Sequence, residues 1–192
     1  AVGIDIITAT TSNGLSNTVN LTVNNSAQIV KTVSIETGAS SITANGSTTT
    51  LRAKVLDTNG LPISSTAVAF TTTLGTLSAA SATTDASGFA SVTLTSGAKT
   101  GTAAVTATAS GFSANGSVSF VAGVAIAPTV NASPSTVNPN GTTTITAHVT
   151  DTNANVLVGQ SVSFSVTTNV SGGSLVTTTA ITNANGDAVV TY

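Results

Sequence analysis

The chain has 192 residues and a net charge of −2, and only 5% of its residues are charged. With 4 Lys plus Arg in all, it offers no basic footprint for nucleic acid and no polybasic or amphipathic signal for a membrane surface. Hydrophobic residues make up 40%, many of them β-branched, which separates the chain from disordered segments and points to folded β structure.

The first residue, Ala1, is not a translation start, so the sequence reads as a processed protein or as an excerpt. Ala9 to Val23 (ATTSNGLSNTVNLTV) resembles Ala107 to Val121 (ATASGFSANGSVSFV), so the chain opens on what looks like the end of a unit. Asn24 to Lys31 reads as a linker. Alternation with period two is then clearest at Leu51-Arg52-Ala53-Lys54-Val55, which predicts a half-buried strand with Leu51, Ala53 and Val55 inward. The same reading applies to Val68 with Phe70, to Ala90, Val92 and Leu94, to Val105 with Ala107, and to Val118 with Phe120. Asn45-Gly46, Asn59-Gly60, Ser87-Gly88, Ser110-Gly111 and Asn115-Gly116 punctuate these runs as turns. The longest nearly unbroken apolar run, Phe120 to Pro128, is far shorter than the roughly 20 residues that span a bilayer, and reads as a strand end plus a linker over Val121 to Pro128.

The pattern then starts again. Asp57-Thr58-Asn59 returns as Asp151-Thr152-Asn153, and Val68 with Phe70 returns as Val162 with Phe164, each 94 residues on. Asp85-Ala86-Ser87-Gly88 returns 98 residues on as Asn183-Ala184-Asn185-Gly186, so about four residues are inserted between the two sets. A fixed period marks an array of like units. The second copy runs to Tyr192, the match of Leu94, and contains no counterpart of Thr95 to Val121.

Short strands between turn signals predict an all-β chain of tandem antiparallel β-sandwiches, which the resemblance named below makes immunoglobulin-like. With 0 Cys they hold without disulfides, and the redox compartment stays open by that route. The expected divisions are residues 1–26 as closing strands of a preceding unit or a donated segment, 27–123 as a complete sandwich, and 124–192 as a sandwich lacking its closing strands. Asn45-Gly46-Ser47, Leu51 to Val55, Asp57-Thr58-Asn59-Gly60, Pro62, Val68-Ala69-Phe70, Gly75-Thr76-Leu77, Thr84-Asp85 and Gly88 to Leu94 together resemble the bacterial immunoglobulin-like group 1 domain of intimin and invasin type adhesins. Gly101, Val105, Ala107, Val118 and Phe120 continue the match, and Val158 to Phe164 carry it into the second copy. The resemblance implies an exported bacterial protein, extracellular or on the cell surface, and transfers no catalytic residue.

Candidate chemistry is sparse. His148 is the sole histidine and aligns with Lys54 beside Arg52, an outward strand position, so a solvated surface residue accounts for it better than a base or ligand. Asp57 and Asp151 recur at one place, which allows a weak reading as Ca²⁺ ligands. An Asx-type turn, with the carboxylate accepting backbone N–H bonds, explains them better. Asp85 becomes Asn183, a change that a turn tolerates and a metal site does not. Asp187 matches Phe89 and reads as an exposed neighbour. Tyr192 is the only tyrosine, and aromatic residues at 3% give no stacking platform for sugars. No catalytic, cofactor or metal site is assigned, and the chain is not read as an enzyme.

The leading functional expectation is a structural component of an extracellular stalk or filament, with flanking immunoglobulin-like repeats or identical subunits as partners and no nucleic acid or inserted membrane. Two versions stay open. The simpler one is a window on a longer tandem protein; the sharper one is a subunit whose leading segment completes the last sandwich of a neighbour. An alternative is an adhesin module whose loops bind a host receptor or polysaccharide, although the loops carry few Arg, Trp or Tyr anchors.

Overall fold

In the computed structural model, residues 3–23 and 28–192 are described, and their regular structure is all β. Residues 24–27 of the expected linker, and with them the expected 26/27 boundary, lie outside the described residues.

The chain opens on an antiparallel hairpin of β1 (Gly3–Thr10) and β2 (Ser16–Val23), paired from Gly3↔Val23 to Thr10↔Ser16. Its turn is closed by the Gly14 N–H donating to Thr11 O at 2.9 Å.

Residues Val30 to Val121 fold into two facing sheets. The strands are β3 (Val30–Thr37), β4 (Ser41–Thr43), β5 (Thr48–Asp57), β6 (Ala67–Thr72), β7 (Thr76–Leu77), β8 (Ser81–Thr83), β9 (Phe89–Thr95), β10 (Gly101–Ala109) and β11 (Phe112–Val121). One sheet runs β3-β5-β9-β7 and the other β4-β11-β10-β6-β8. Period-two alternation puts Leu51, Ala53 and Val55 inward, all fully buried, together with Val68, Leu94, Val105 and Val118. Phe70 and Phe120 fill the remaining space, at 3% and 2% exposure. The inward residues expected from the sequence are therefore the core.

One pairing departs from the antiparallel expectation: β4 lies parallel to β11, Ser41 to Thr43 beside Ser119 to Val121. After β3 the chain passes Gly38, where an added Cβ would crowd Thr49 Oγ1 at 3.2 Å and Thr50 O at 3.3 Å, and crosses to the other sheet. Strands that follow one another but switch sheets no longer form a hairpin, so the pairing becomes parallel.

The final unit repeats only part of this plan. Its strands are β12 (Thr129–Ser133), β13 (Thr144–His148), β14 (Ser161–Ser163), β15 (Thr179–Ile181) and β16 (Asp187–Thr191). They form one sheet β12-β13-β16, equivalent to β3-β5-β9, and one ribbon β14-β15, equivalent to β6-β8. Counterparts of β10 and β11 are absent among the described residues, and 135–137, the counterpart of β4, forms no strand. A strand whose only neighbour is missing has no ladder to join.

Buried threonines show how closely the two units correspond. Thr84 Oγ1 donates to Ile63 O at 2.7 Å and accepts from Thr66 N–H at 2.9 Å. Thr182 Oγ1 does the same with Leu157 O at 2.6 Å and Gln160 N–H at 2.8 Å.

Candidate assembly interface

The recurring acidic turns are Asx turns. Asp57 Oδ1 accepts from the N–H groups of Asn59 and Leu61 at 2.8 and 2.9 Å, and Asp151 Oδ1 from those of Asn153 and Asn155 at 2.8 and 2.9 Å. Asp85 Oδ1 takes Ser87 and Phe89 N–H, and Asn183 Oδ1 takes Asn185 and Asp187 N–H. The amide in one copy makes the same two contacts as the carboxylate in the other, so the geometry of the turn needs only the oxygen, while the Phe89 N–H bond, with Ser87 N–H and Arg52, holds the Asp85 carboxyl below its ordinary value against desolvation. In each turn one side-chain oxygen is thus engaged by two backbone donors, as the Asx reading requires, and no group of three or more His, Cys, Asp or Glu that could hold a metal ion occurs among the described residues.

His148 and Asp187 stand differently from the expectation of two unconnected surface residues. They face each other across β13 and β16, and His148 Nδ1 lies 2.7 Å from Asp187 Oδ1. The pair replaces Lys54 and Phe89 in the central unit, where the Lys54 ammonium sits 5.0 Å and the Arg52 guanidinium carbon 4.0 Å from the Phe89 ring centroid. Both are half-exposed cross-strand pairs. The register that joins them could be read only after the 94- and 98-residue offsets had been carried through both strands.

The joint between the units is built on Asp151 together with two residues the sequence did not single out, Asn155 and Gly123. Asp151 is buried, and its Oδ2 accepts from the Gly123 N–H of the linker at 2.9 Å and from Asn155 Nδ2 at 3.0 Å. Asn155 reaches back to the loop between β9 and β10: its Nδ2 donates to Ala98 O at 2.8 Å and its Oδ1 accepts from Thr100 N–H at 3.2 Å. The Asn155 amide, the Gly123 N–H and the loop N–H groups hold the Asp151 carboxyl far below the ordinary carboxylate range, against the opposing effect of burial. The counterpart of Asn155 is Leu61, which is 55% exposed and can form none of these bonds. That polar-for-apolar exchange at equivalent places was the available signal.

Two further surfaces are incomplete. In the final unit, Ile145, Val162 and Phe164 are only half-buried, although their counterparts Leu51, Val68 and Phe70 are closed off in the central unit. Val130, Ile145, Phe164, Val166, Leu175 and Tyr192 line a groove of about 470 Å³ between the sheet and the ribbon, in the space that β10 and β11 roof over in the central unit. The β1–β2 hairpin is the second such surface. Every described side chain from Ile4 to Thr22 is exposed, with Ile7 at 53%, Val19 at 61% and Leu21 at 51%. Isolated two-stranded ribbons are marginal in water, and apolar residues set in this way mark an interaction surface.

The family described as Invasin, domain 3 matches residues 29–123. Among curated proteins none matches. Solved structures with a similar fold include invasin, a bacterial integrin-binding protein, at 20% identity and a TM-score of 0.69, covering 100% of this chain and 40% of that one. InvD of Yersinia pseudotuberculosis is 23% identical with a TM-score of 0.59 (82% of this chain, 48% of that one). The Escherichia coli adhesin FdeC is 22% identical with a TM-score of 0.55 (93% and 61%). The chain thus spans 40% to 61% of the lengths of these relatives, and at such identities the likeness is one of fold.

Proposed function

We propose, from the match of residues 29–123 to the Invasin domain 3 family, that the chain is a non-catalytic segment of an extracellular stalk or filament on the bacterial surface, built of immunoglobulin-like domains. In this reading like sandwiches follow one another, and the open final unit is completed by strands exchanged with a neighbour. The observation that carries it is the joint: Asn155 and Asp151 tie the second unit to the linker and to the far loop of the first, as a load-bearing spacer requires. Flanking repeats or identical chains are the partners. The loops that could serve receptor binding are polar and lack aromatic anchors, so nothing favours the recognition reading over the spacer.

Electron microscopy of the concentrated chain tests the proposal. Thin beaded rods are expected, with a bead spacing of roughly 35–40 Å, set by ten-residue strands such as β5 at about 3.3 Å per residue plus the linker. Compact particles that capture a defined ligand through their loops would overturn it.

A further inference from the structure

The open groove of the final unit and the unpartnered hairpin correspond in register, residue by residue. In the central unit β10 pairs with β11 through Ala103↔Val118, Val105↔Gly116 and Ala107↔Ala114. The hairpin pairs Asp5↔Leu21, Ile7↔Val19 and Ala9↔Asn17. Laying β1 on β10 and β2 on β11 therefore places Ile7 on Val105, Ala9 on Ala107 and Leu21 on Val118, all fully buried positions. Val19 takes the place of Gly116, where an added Cβ would meet Ile35 at 3.3 Å; the final unit carries the smaller Val130 at the place of Ile35, 59% exposed.

We infer that the groove of one copy receives the β1–β2 hairpin of a second copy, with β1 lying antiparallel to β14 and its extension, and with Ile7 opposite Val166, Thr8 opposite Ser165, Ala9 opposite Phe164 and Thr10 opposite Ser163. This rests on the strand-exchange reading above and fixes its partner and geometry. The register is carried over from Val105↔Thr72, Thr106↔Thr71, Ala107↔Phe70 and Thr108↔Ala69. A slip by one residue would turn Ile7, Val19 and Leu21 outward and set Thr8, Thr18, Asn20 and Thr22 inward beside Ile4 and Ile6, so the inferred register is the one that buries the more apolar face. Two polar residues lie on the inserted face: Asn17, opposite Ala9, takes the place of the half-buried Ala114, and Asp5 replaces Ala103. Extending the same register sets it opposite Thr168, in the inserted stretch where Ser165, Thr167 and Thr168 line the groove and offer hydroxyl donors.

The occupant cannot be the chain's own hairpin. Gln28 Nε2 reaches Pro62 O, and Val30 pairs with Asp57, so the hairpin joins the central unit at the end where β5 finishes. The final unit is tied on at the opposite end, through Ala98, Thr100 and Gly123. The ten residues of β5 alone separate these ends by about 30 Å. The five peptide steps from Val23 to Gln28 reach at most about 18 Å. A second copy has no such limit. The contact is head-to-tail and leaves each new copy with an open groove, so the assembly grows as a filament and does not close.

Engineered disulfides test this on a chain that has no cysteine of its own. Thr8→Cys with Ser165→Cys, and Thr10→Cys with Ser163→Cys, join outward-facing positions that the inferred register sets opposite each other. Thr10→Cys with Thr167→Cys is four residues out of register, beyond disulfide reach. On mild oxidation the two matched variants are expected to give a ladder of linked chains, at least about tenfold more than the mismatched one, a ratio of about 1.4 kcal/mol. Sedimentation of the reduced proteins is read alongside. Assembly with cross-linking favouring the mismatched pair overturns the register and leaves strand exchange standing. Reduced proteins that stay single at every concentration overturn strand exchange itself. A product that stops at two chains overturns head-to-tail growth. Ile7→Asp, in an otherwise unchanged chain, is expected to abolish assembly while the central unit stays folded; assembly unaffected by it contradicts insertion of this face.

Discussion

Phe70 and Phe164 occupy equivalent places in the two units, and truncating each measures how far its core is closed. Phe70 is 3% exposed between complete sheets, so Phe70→Ala removes the buried ring and leaves a sealed void, at a cost of about 3–5 kcal/mol. Phe164 lines an open groove and is half-buried. Its removal forfeits only part of the transfer free energy and leaves no enclosed cavity, a cost of about 1–2 kcal/mol. Urea unfolding with a slope of about 1 kcal/mol per molar for a domain of this size turns these into midpoint shifts of about 3–5 M and 1–2 M. Tyr192, the only tyrosine in a chain without Trp, reports the final unit by its fluorescence. Far-UV circular dichroism follows both units. At concentrations where copies assemble, the Phe164→Ala cost should rise toward that of Phe70→Ala, because an inserted hairpin closes the groove. Equal costs in dilute solution would refute the reasoning, since the final core would then already be sealed.

Other outcomes follow from the same geometry. Asn155→Leu installs the residue of the central unit and removes the bonds to Ala98 and Thr100, each worth about 1 kcal/mol; small-angle scattering should show a wider spread of inter-unit angles with both units still folded. The depressed Asp151 carboxyl favours the folded joint above the ordinary carboxylate titration, and that contribution is lost as pH falls through the lowered value. The joint should therefore loosen in acid, below about pH 4, and stay indifferent to mild alkali, with Asp151→Asn losing this acid dependence when followed by the same scattering measurement. Ala154 holds φ +59° at the place of Gly60, which has φ +76°, so Ala154→Gly should raise the thermal midpoint of the final unit, by about 0.5–1 kcal/mol of stability. Asp85→Asn copies Asn183 and should leave the thermal midpoint of the central unit nearly unchanged at neutral pH, since both backbone bonds survive.

The inward faces were legible because period-two alternation is a local signal: Leu51, Ala53 and Val55 announce their side of the sheet within five residues. The Asx turns were legible for the same reason, since Asp57 and Asp151 bond to groups two and four residues on. What sequence could not supply was pairing between distant segments. His148 meets Asp187 only through the β13–β16 register, and the polarity of β4 depends on a sheet crossing at Gly38 that leaves no period. Asn155 looked like any loop asparagine until its amide was seen to bridge a carboxylate and a carbonyl from different units. The hairpin lies between these cases. Its likeness to the closing strands was plain in the sequence, and its register against the groove needed the coordinates.

Sedimentation velocity of the unmodified chain across a wide concentration range puts the central claim to its most direct test. Insertion of one copy's hairpin into the next copy's open sandwich predicts species that grow in multiples of 18.5 kDa without a preferred stopping point. A single species of 18.5 kDa at every concentration would contradict it.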